Sequence, residues 1–191
     1  PLISSTKVEN MVDKLPEKFT VEKDGKRYWK PMLRYIDNIQ VNTITYKSDG
    51  LNVVGVLVQP KKIGNYPCII WNRGGNQEFG AISMITAAAM LGKLASKGYV
   101  VIASQYRGNG GSEGKEEFGG SELNDVLNLI QVLEHIPSAD TSRIGMFGGS
   151  RGGMMTYLTL PKTTKIKAAV VGGAPADKTI IDRPNMETNV Y

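Results

Sequence analysis

The sequence predicts an α/β fold with a mostly parallel, doubly wound sheet and an antiparallel hairpin on its N-terminal side. Two observations lead to this prediction. From residue 67 onward, short apolar runs alternate with segments of helical periodicity, which is the pattern of parallel strands joined by right-handed crossovers. Before residue 67, apolar and polar residues alternate instead, as in half-buried antiparallel strands.

The chain divides into an N-terminal extension, residues 1–40, and a main domain, residues 41–191. The extension is polar and mixed, with a short helix expected over residues 6–15 and a turn over residues 23–26. The main domain opens with alternating residues at 41–46 and 51–58. Lys47, Ser48, Asp49 and Gly50 stand between them as turn residues, so a β-hairpin is predicted.

Four apolar runs follow as predicted parallel strands, over residues 67–71, 99–103, 144–147 and 166–171. Helices are predicted between them, over residues 82–97 with Gly98 as C-cap, over 121–135 before Pro137, and after residue 150. Glycine-rich loops follow three of the strands, over 72–80, 105–114 and 148–153. Because ligands of such sheets bind beyond the carboxyl ends of the strands, these loops predict one shared crevice.

The third of these loops, Gly148-Gly149-Ser150-Arg151-Gly152, is a G-x-S-x-G pentapeptide between a strand and a helix. In that context the pentapeptide is typical of a nucleophile elbow, with Ser150 held in a strained turn between small neighbours. A plain glycine-rich turn or a phosphate loop is the alternative. A P-loop needs Lys and then Ser or Thr after its last glycine, whereas Met154 follows Gly153, and the spacing does not fit a dinucleotide loop.

These motifs together resemble the α/β-hydrolase fold and, more narrowly, the catalytic domain of the prolyl oligopeptidase and acylaminoacyl-peptidase group. Residues 140–153 are similar to the D-x-x-R-I-G-x-x-G-G-S-x-G-G signature of that group. Residues 105–111 look like its D-Y-R-G-S-G-G loop with Gln105 for Asp, and residues 73–76 like its H-G-G-P loop with Arg73 for His and Asn76 for Pro. The resemblance covers about residues 40–175, and it implies that residues 41–191 are the N-terminal two thirds of a hydrolase domain.

The resemblance implies roles for individual residues. Ser150 would be the nucleophile of a serine hydrolase that cleaves an ester or peptide bond through an acyl-enzyme. The oxyanion hole would consist of the backbone N–H of Arg151 and an N–H of Gly74 or, preferably, Gly75. Asp140 and Arg143 are expected to fix the turn into the elbow strand.

The acid and the histidine of the triad are not evident, because no histidine follows Ser150. His135 precedes Ser150 and is expected to be a surface residue at a helix end, and Asp177 is a weak candidate for the acid. The acid and histidine are therefore expected beyond residue 191. The apolar strand from Ile166 to Val171 would then be an open sheet edge, so we expect a second chain, a swapped copy or a missing C-terminal segment to cover it.

The composition excludes several other classes. The net charge is +5 and the pI is about 9.2, but the basic residues are scattered, which favours a solvated surface over nucleic-acid binding. No membrane span is expected, no cofactor is implied, and one histidine with the single Cys68, expected to be a buried small hydrophobe, does not make a metal site. Arg73 and Arg107, near the crevice, are expected either to be structural or to bind a carboxylate.

Two functions from other classes compete with the serine hydrolase. The first is a non-catalytic α/β-hydrolase-like binding or interaction protein, which the missing histidine favours and the intact elbow disfavours. The second is a nucleotide-binding doubly wound domain, which the glycine spacing disfavours.

Overall fold

A seven-stranded mixed sheet is the centre of the computed structural model, which describes residues 2–14 and 16–175. The strand order is β1-β4-β5-β7-β6-β8-β9, and β2 and β3 form a separate hairpin. The strands are β1 Leu2–Lys7, β2 Thr20–Lys23, β3 Lys26–Trp29, β4 Ile39–Ser48, β5 Leu51–Pro60, β6 Tyr66–Asn72, β7 Val100–Ser104, β8 Ala139–Gly149 and β9 Ile166–Gly172.

The predicted hairpin is confirmed as β4 and β5, which pair in antiparallel register from Ser48 opposite Leu51 outward. Asp49 and Gly50 form its turn with φ values of 50° and 82°. Positive φ at both central residues is the backbone of the tight hairpin turn that asparagine or aspartate followed by glycine favours. The turn predicted over residues 23–26 is confirmed in the same way, since it joins β2 to β3.

The first strand differs from the sequence prediction. A helix was predicted over residues 6–15, but Leu2–Lys7 is strand β1, paired antiparallel with β4, and helix α1 is confined to Met11–Lys14. The outer edge of β4 explains the difference, because its unpaired backbone N–H and C=O groups offer partners to an adjacent segment whatever its helical propensity. The N-terminal extension therefore contributes one strand to the central sheet.

The remaining strands β7, β6, β8 and β9 are parallel, as predicted, and β7 also pairs antiparallel with β5. Strand β7 is buried along its whole length because both faces of the sheet are covered. Val100 and Ile102 belong to one core and Val101 and Ala103 to the other, as the alternation of side chains along a strand requires.

Helices cover the two faces. Helix α4, Glu122–Leu133, and helix α5, Arg151–Thr159, pack on the core that contains Val100 and Ile102. The core that contains Val101 and Ala103 is covered by one continuous helical segment. This segment consists of α2 Met84–Thr86, a π-helical turn Ala87–Leu91 and α3 Gly92–Ala95. The hydroxyl of Tyr35 donates to the carbonyls of Ala88 and Ala89, which satisfies acceptors in the π-helical turn.

Strand β9 is the outermost strand of the sheet within the described residues. Its side chains from Lys167 to Val170 are exposed, and Val170 is 61% exposed. Among residues 2–14 and 16–175, none of the helices has both the length and the apolar character needed to cross a bilayer.

Candidate active site

Ser150 lies at the sharp turn from β8 into α5, with φ 53° and ψ −128°. A non-glycine residue rarely adopts these angles, and such strained residues concentrate at functional sites. The turn is held by the backbone: the N–H of Ser150 donates to the carbonyl of Gly172 at 2.8 Å, and the N–H of Gly153 donates to the carbonyl of Ser150 at 2.9 Å. The side chain of Ser150 is exposed at the carboxyl end of the parallel strands.

The glycines on either side of Ser150 are required by close backbone contacts. A Cβ atom at Gly148 would collide with the carbonyl of Gly152, and one at Gly152 would collide with the backbone of Asn72 and Arg73. The side-chain amide of Asn72 also donates to the Thr156 hydroxyl at 2.9 Å, one turn further along α5. The elbow therefore packs directly on the end of β6.

The loop after β6 carries Gly75, and the buried side chain of Arg73 organises it. The Arg73 guanidinium donates to the carbonyls of Gly74 (3.4 Å), Gln77 (3.0 Å) and Phe79 (3.3 Å) in this loop, and to that of Gln105 (2.9 Å). A Cβ atom built on Gly74 would lie 3.6 Å from the Cβ of Ser150, so this loop borders Ser150. We call residues 74–80, in which the sequence predicts an oxyanion donor, the oxyanion loop.

Gln105, Tyr106 and Arg107 begin the second glycine-rich loop and are all buried. The Gln105 amide accepts from the N–H of Ile82 and donates to its carbonyl, both at 3.0 Å. An aspartate could only accept, which gives a physical reason for glutamine at this position. Tyr106 donates its hydroxyl to the carbonyl of Arg73 at 3.1 Å.

The two arginines that the sequence left open between structural and ligand-binding roles have structural contacts. Arg107 pairs with Asp125 at 2.8 Å and with Asp49 at 2.7 Å, and its backbone N–H also donates to Asp125. Arg73 is engaged by the four carbonyls of its own and the neighbouring loop. Neither guanidinium is exposed, since Arg73 is 2% and Arg107 6% accessible.

Arg151, the residue after Ser150, turns its side chain inward and is 1% exposed. Its guanidinium forms ion pairs with Glu116 and with Glu122, the latter at 2.7 Å. It also donates to the carbonyl of Gly75 at 3.0 Å. The backbone N–H of Arg151 opens helix α5, where N–H groups of the first turn have no acceptor within the helix.

Aromatic rings and burial set the electrostatics of this cluster. The Tyr106 ring lies between two guanidinium groups, 5.0 Å from that of Arg73 and 4.9 Å from that of Arg151. Burial lowers the pKa of Arg151 to about 10 and also lowers the pKa of Arg73, while it raises the pKa of the Tyr106 phenol. At neutral pH the guanidinium of Arg151 is still protonated and the phenol is neutral.

Other residues singled out in the sequence lie elsewhere. His135 is exposed just beyond α4, with its Nδ1 2.8 Å from the carbonyl of Gln131. It follows Glu122 by thirteen residues, so it lies about 20 Å along the helix from the end that contacts Arg151. Asp140 pairs with Arg143 at 2.6 Å, and Cys68 is buried at 1%. Asp177 lies outside the described residues.

The side chain of Arg151 and its partners Glu116 and Glu122 were not predicted from the sequence. Only the backbone N–H of Arg151 was given a role. The available signal was an arginine followed by ten residues without charge at the start of a helix, together with acidic residues after the glycine-rich loop at 105–114. That signal does not say which of these carboxylates the arginine meets.

The sequence of the chain is similar to those of named peptidases. Over 122 residues the chain is 38% identical to the uncharacterized peptidase YtmA of Bacillus subtilis, covering 64% of this chain and 46% of YtmA. It is 30% identical over 137 residues to dipeptidyl-peptidase 5 of Porphyromonas gingivalis, covering 66% of this chain and 20% of that protein. The chain thus spans less than half the length of these relatives.

Solved structures give the same picture. The acylaminoacyl peptidase of Pyrococcus horikoshii superposes with a TM-score of 0.59 at 26% identity, covering 78% of this chain and 27% of that one. The likeness confirms the predicted α/β-hydrolase fold and the resemblance to the acylaminoacyl-peptidase group. The profile of the X-Pro dipeptidyl-peptidase (S15) family matches residues 49–180, more than half of the 191 residues. The chain therefore belongs to the X-Pro dipeptidyl-peptidase (S15) family.

Proposed function

We propose that the protein of which this chain is a part hydrolyses an ester or peptide bond through an acyl-enzyme on Ser150. The observation that carries the proposal is the backbone of Ser150, at φ 53° and ψ −128°, between two glycines that contacts require to be glycine. This turn presents an exposed hydroxyl beside a glycine-rich loop, which is the arrangement of a nucleophile elbow. The family and the named peptidase relatives do not support the non-catalytic alternative.

In the proposed mechanism Ser150 Oγ attacks the carbonyl carbon of the substrate and transfers its proton to a histidine base. The N–H groups of Arg151 and Gly75 stabilise the oxyanion that forms, and the loss of one such donor typically lowers the rate about a hundred- to a thousand-fold. The base then protonates the leaving group, and water hydrolyses the acyl-enzyme. We propose that the acid and histidine lie beyond residue 191, because no histidine follows Ser150 in the chain.

The substrate class is kept as ester or peptide, with a peptide supported by the family name. A panel of chromogenic substrates separates the two: p-nitrophenyl esters, and dipeptidyl p-nitroanilides with and without proline at the second position. Turnover of the esters alone would assign an esterase, and turnover of the anilides a peptidase.

The nucleophile itself is tested by labelling the full-length protein with a fluorophosphonate probe. Label is expected on Ser150 of the wild type and absent from Ser150→Ala. Ser96→Ala is the matched control, because Ser96 is an exposed serine at the end of α3 whose hydroxyl donates only to its own helix, to Lys93 at 2.9 Å. Equal labelling of wild type and Ser150→Ala would contradict the proposal.

We also propose that the exposed edge of β9 is covered in the working protein by chain beyond residue 191, by a swapped copy or by a second chain. An exposed apolar strand edge can pair with other chains, which proteins generally prevent. Hydrogen exchange of the full-length protein tests this, since coverage would protect the amides of Ile166–Gly172 that do not pair with β8. Rapid exchange of those amides in a monomer would contradict it.

A further inference from the structure

The side chain of Arg151 connects both proposed donors of the oxyanion hole. Its own backbone N–H is one donor, and its guanidinium donates to the carbonyl of Gly75, the residue that supplies the other, at 3.0 Å. These residues are 76 positions apart in the sequence. One side chain therefore spans the gap between the elbow and the oxyanion loop.

Two aromatic rings and two carboxylates surround the guanidinium, while its Nε has no hydrogen-bond partner among the described residues. Tyr106 and Phe118 place their rings 4.9 Å and 4.7 Å from its central carbon, on which a flat delocalised cation stacks favourably. Glu122, fully buried, accepts from it at 2.7 Å and also accepts from the N–H of Gly119 at 2.6 Å. Because Glu122 is itself held by Gly119 and Tyr106 by Arg73, the guanidinium has little freedom to move.

Glu116 joins the same cluster to the oxyanion loop by a second route. One of its oxygens pairs with Arg151, and the other accepts from the backbone N–H of Gln77 in the oxyanion loop at 2.5 Å and from the side chain of Asn109 at 3.1 Å. Its side chain is only 10% exposed, so solvent does not replace these partners readily. The oxyanion loop is thus tied to the elbow at Gly75 and at Gln77.

We propose that Arg151, through its guanidinium, and Glu116 are positioning residues that set the separation of the two oxyanion donors. The inference rests on the proposed function, because it assigns a purpose to the distance between Gly75 and the elbow. Neither side chain reacts with substrate in this scheme. Each acts through the backbone that it holds, so its loss lowers transition-state stabilisation more than substrate binding.

The test compares Glu116→Gln, Arg151→Met and Arg151→Lys in the full-length protein, with ester hydrolysis as the activity. Glu116→Gln keeps the shape and removes the charge. Glu113→Gln is the matched control, since Glu113 is an exposed carboxylate of the same loop that hydrogen-bonds Asn52 on the hairpin instead. We expect kcat to fall about 10- to 100-fold for Glu116→Gln and Arg151→Met, less than for outright loss of a donor, with KM changed by less than about threefold.

The lysine variant distinguishes positioning from charge balance alone. Lysine restores the positive charge but not the planar fork that reaches Gly75 and the carboxylates together, so Arg151→Lys is expected to remain impaired. Full recovery in Arg151→Lys, or wild-type kcat in Glu116→Gln, would overturn the inference. If Arg151→Met does not fold, Glu116→Gln and Arg151→Lys decide the question.

The inference and the proposed function fail in different ways. A wild-type protein that neither turns over ester nor labels at Ser150 refutes the function, and the inference with it. An active wild type whose Glu116→Gln variant matches Glu113→Gln refutes the inference alone.

Discussion

Replacement of Gly152 by alanine tests whether the elbow is pressed against β6 as the structure describes. A Cβ atom at Gly152 would overlap the carbonyl oxygen of Asn72 and lie 2.7 Å from its carbon and 2.9 Å from the carbonyl oxygen of Arg73. All three atoms are backbone, so no flexible side chain can move aside. Either α5 or the end of β6 must shift, and this shift separates Ser150 from the oxyanion loop.

The magnitude follows from two opposing effects on the free energy of unfolding. Overpacking of a filled site costs about 1–3 kcal/mol, and contact with backbone on three atoms places this substitution at the upper limit. Alanine in place of glycine within a helix contributes about 0.5–1 kcal/mol in the other direction. The net loss is about 2 kcal/mol, which at an m-value of about 2 kcal/mol/M lowers the urea midpoint by about 1 M.

The assay is urea unfolding of the full-length protein followed by tryptophan fluorescence, with the rate of fluorophosphonate labelling measured in parallel. Gly149→Ala is the control, because a Cβ atom there meets only the carbonyl of Gly172 at 3.8 Å, an ordinary contact. We expect its midpoint to lie close to that of the wild type. Fluorophosphonate should label the Gly152→Ala variant more slowly than the wild type even in the absence of urea, where the variant is folded.

The reasoning would be refuted if Gly152→Ala and Gly149→Ala had the same midpoint and the same labelling rate. Such a result would mean that α5 is free to move away from β6 at no cost. The elbow glycines would then have a different purpose from close packing.

Two further predictions concern ionisable groups. Burial raises the pKa of the Cys68 thiol from 9.0 to about 12, which lowers the thiolate fraction about a thousandfold. Iodoacetamide should therefore modify Cys68 only as the protein unfolds, as measured by intact mass. Fast modification at low denaturant concentration would contradict this prediction. Hydrogen bonds from Asn124 and then Arg107 lower the pKa of Asp49 below 3.8, so the carboxylate contributes stability above about pH 4 that is lost as pH falls through the lowered value. In thermal unfolding, the Asp49→Asn variant should therefore be less stable than the wild type at pH 7 and equally stable near pH 2. A stability difference that persists unchanged at pH 2 would exclude the charge as its cause.

Much of the fold was predictable because its determinants are local. The continuous apolar run of β7 could be read from five consecutive residues, and the hairpin from an alternation interrupted by Asp49 and Gly50. The helix predicted over residues 6–15 was wrong for the opposite reason. Leu2–Lys7 is a strand because the edge of β4, more than thirty residues later, offers backbone partners.

The candidate site also has a part that was predictable from the sequence and a part that was not. The place of Ser150 in a strand-to-helix turn was evident from G-x-S-x-G and its flanks, and the structure adds the reason for Gly148 and Gly152. For Arg73 the sequence left a structural and a ligand-binding role open. The decision came from four carbonyls that converge on its guanidinium, which no spacing in the sequence indicates.

The alternation of strands and helices, the three glycine-rich loops at one end of the sheet and the elbow are all encoded locally in the amino-acid sequence. These follow from side-chain period and backbone sterics, which act over a few residues. The direction of the Arg151 side chain, in contrast, depends on the packing of the folded chain. Its partners Glu122 and Gly75 are 29 and 76 residues away, and they meet because the crossovers of the sheet bring the carboxyl ends of β6, β7 and β8 together. A buried charge takes its partners from whatever the fold places within reach, and that is a property of the packed chain.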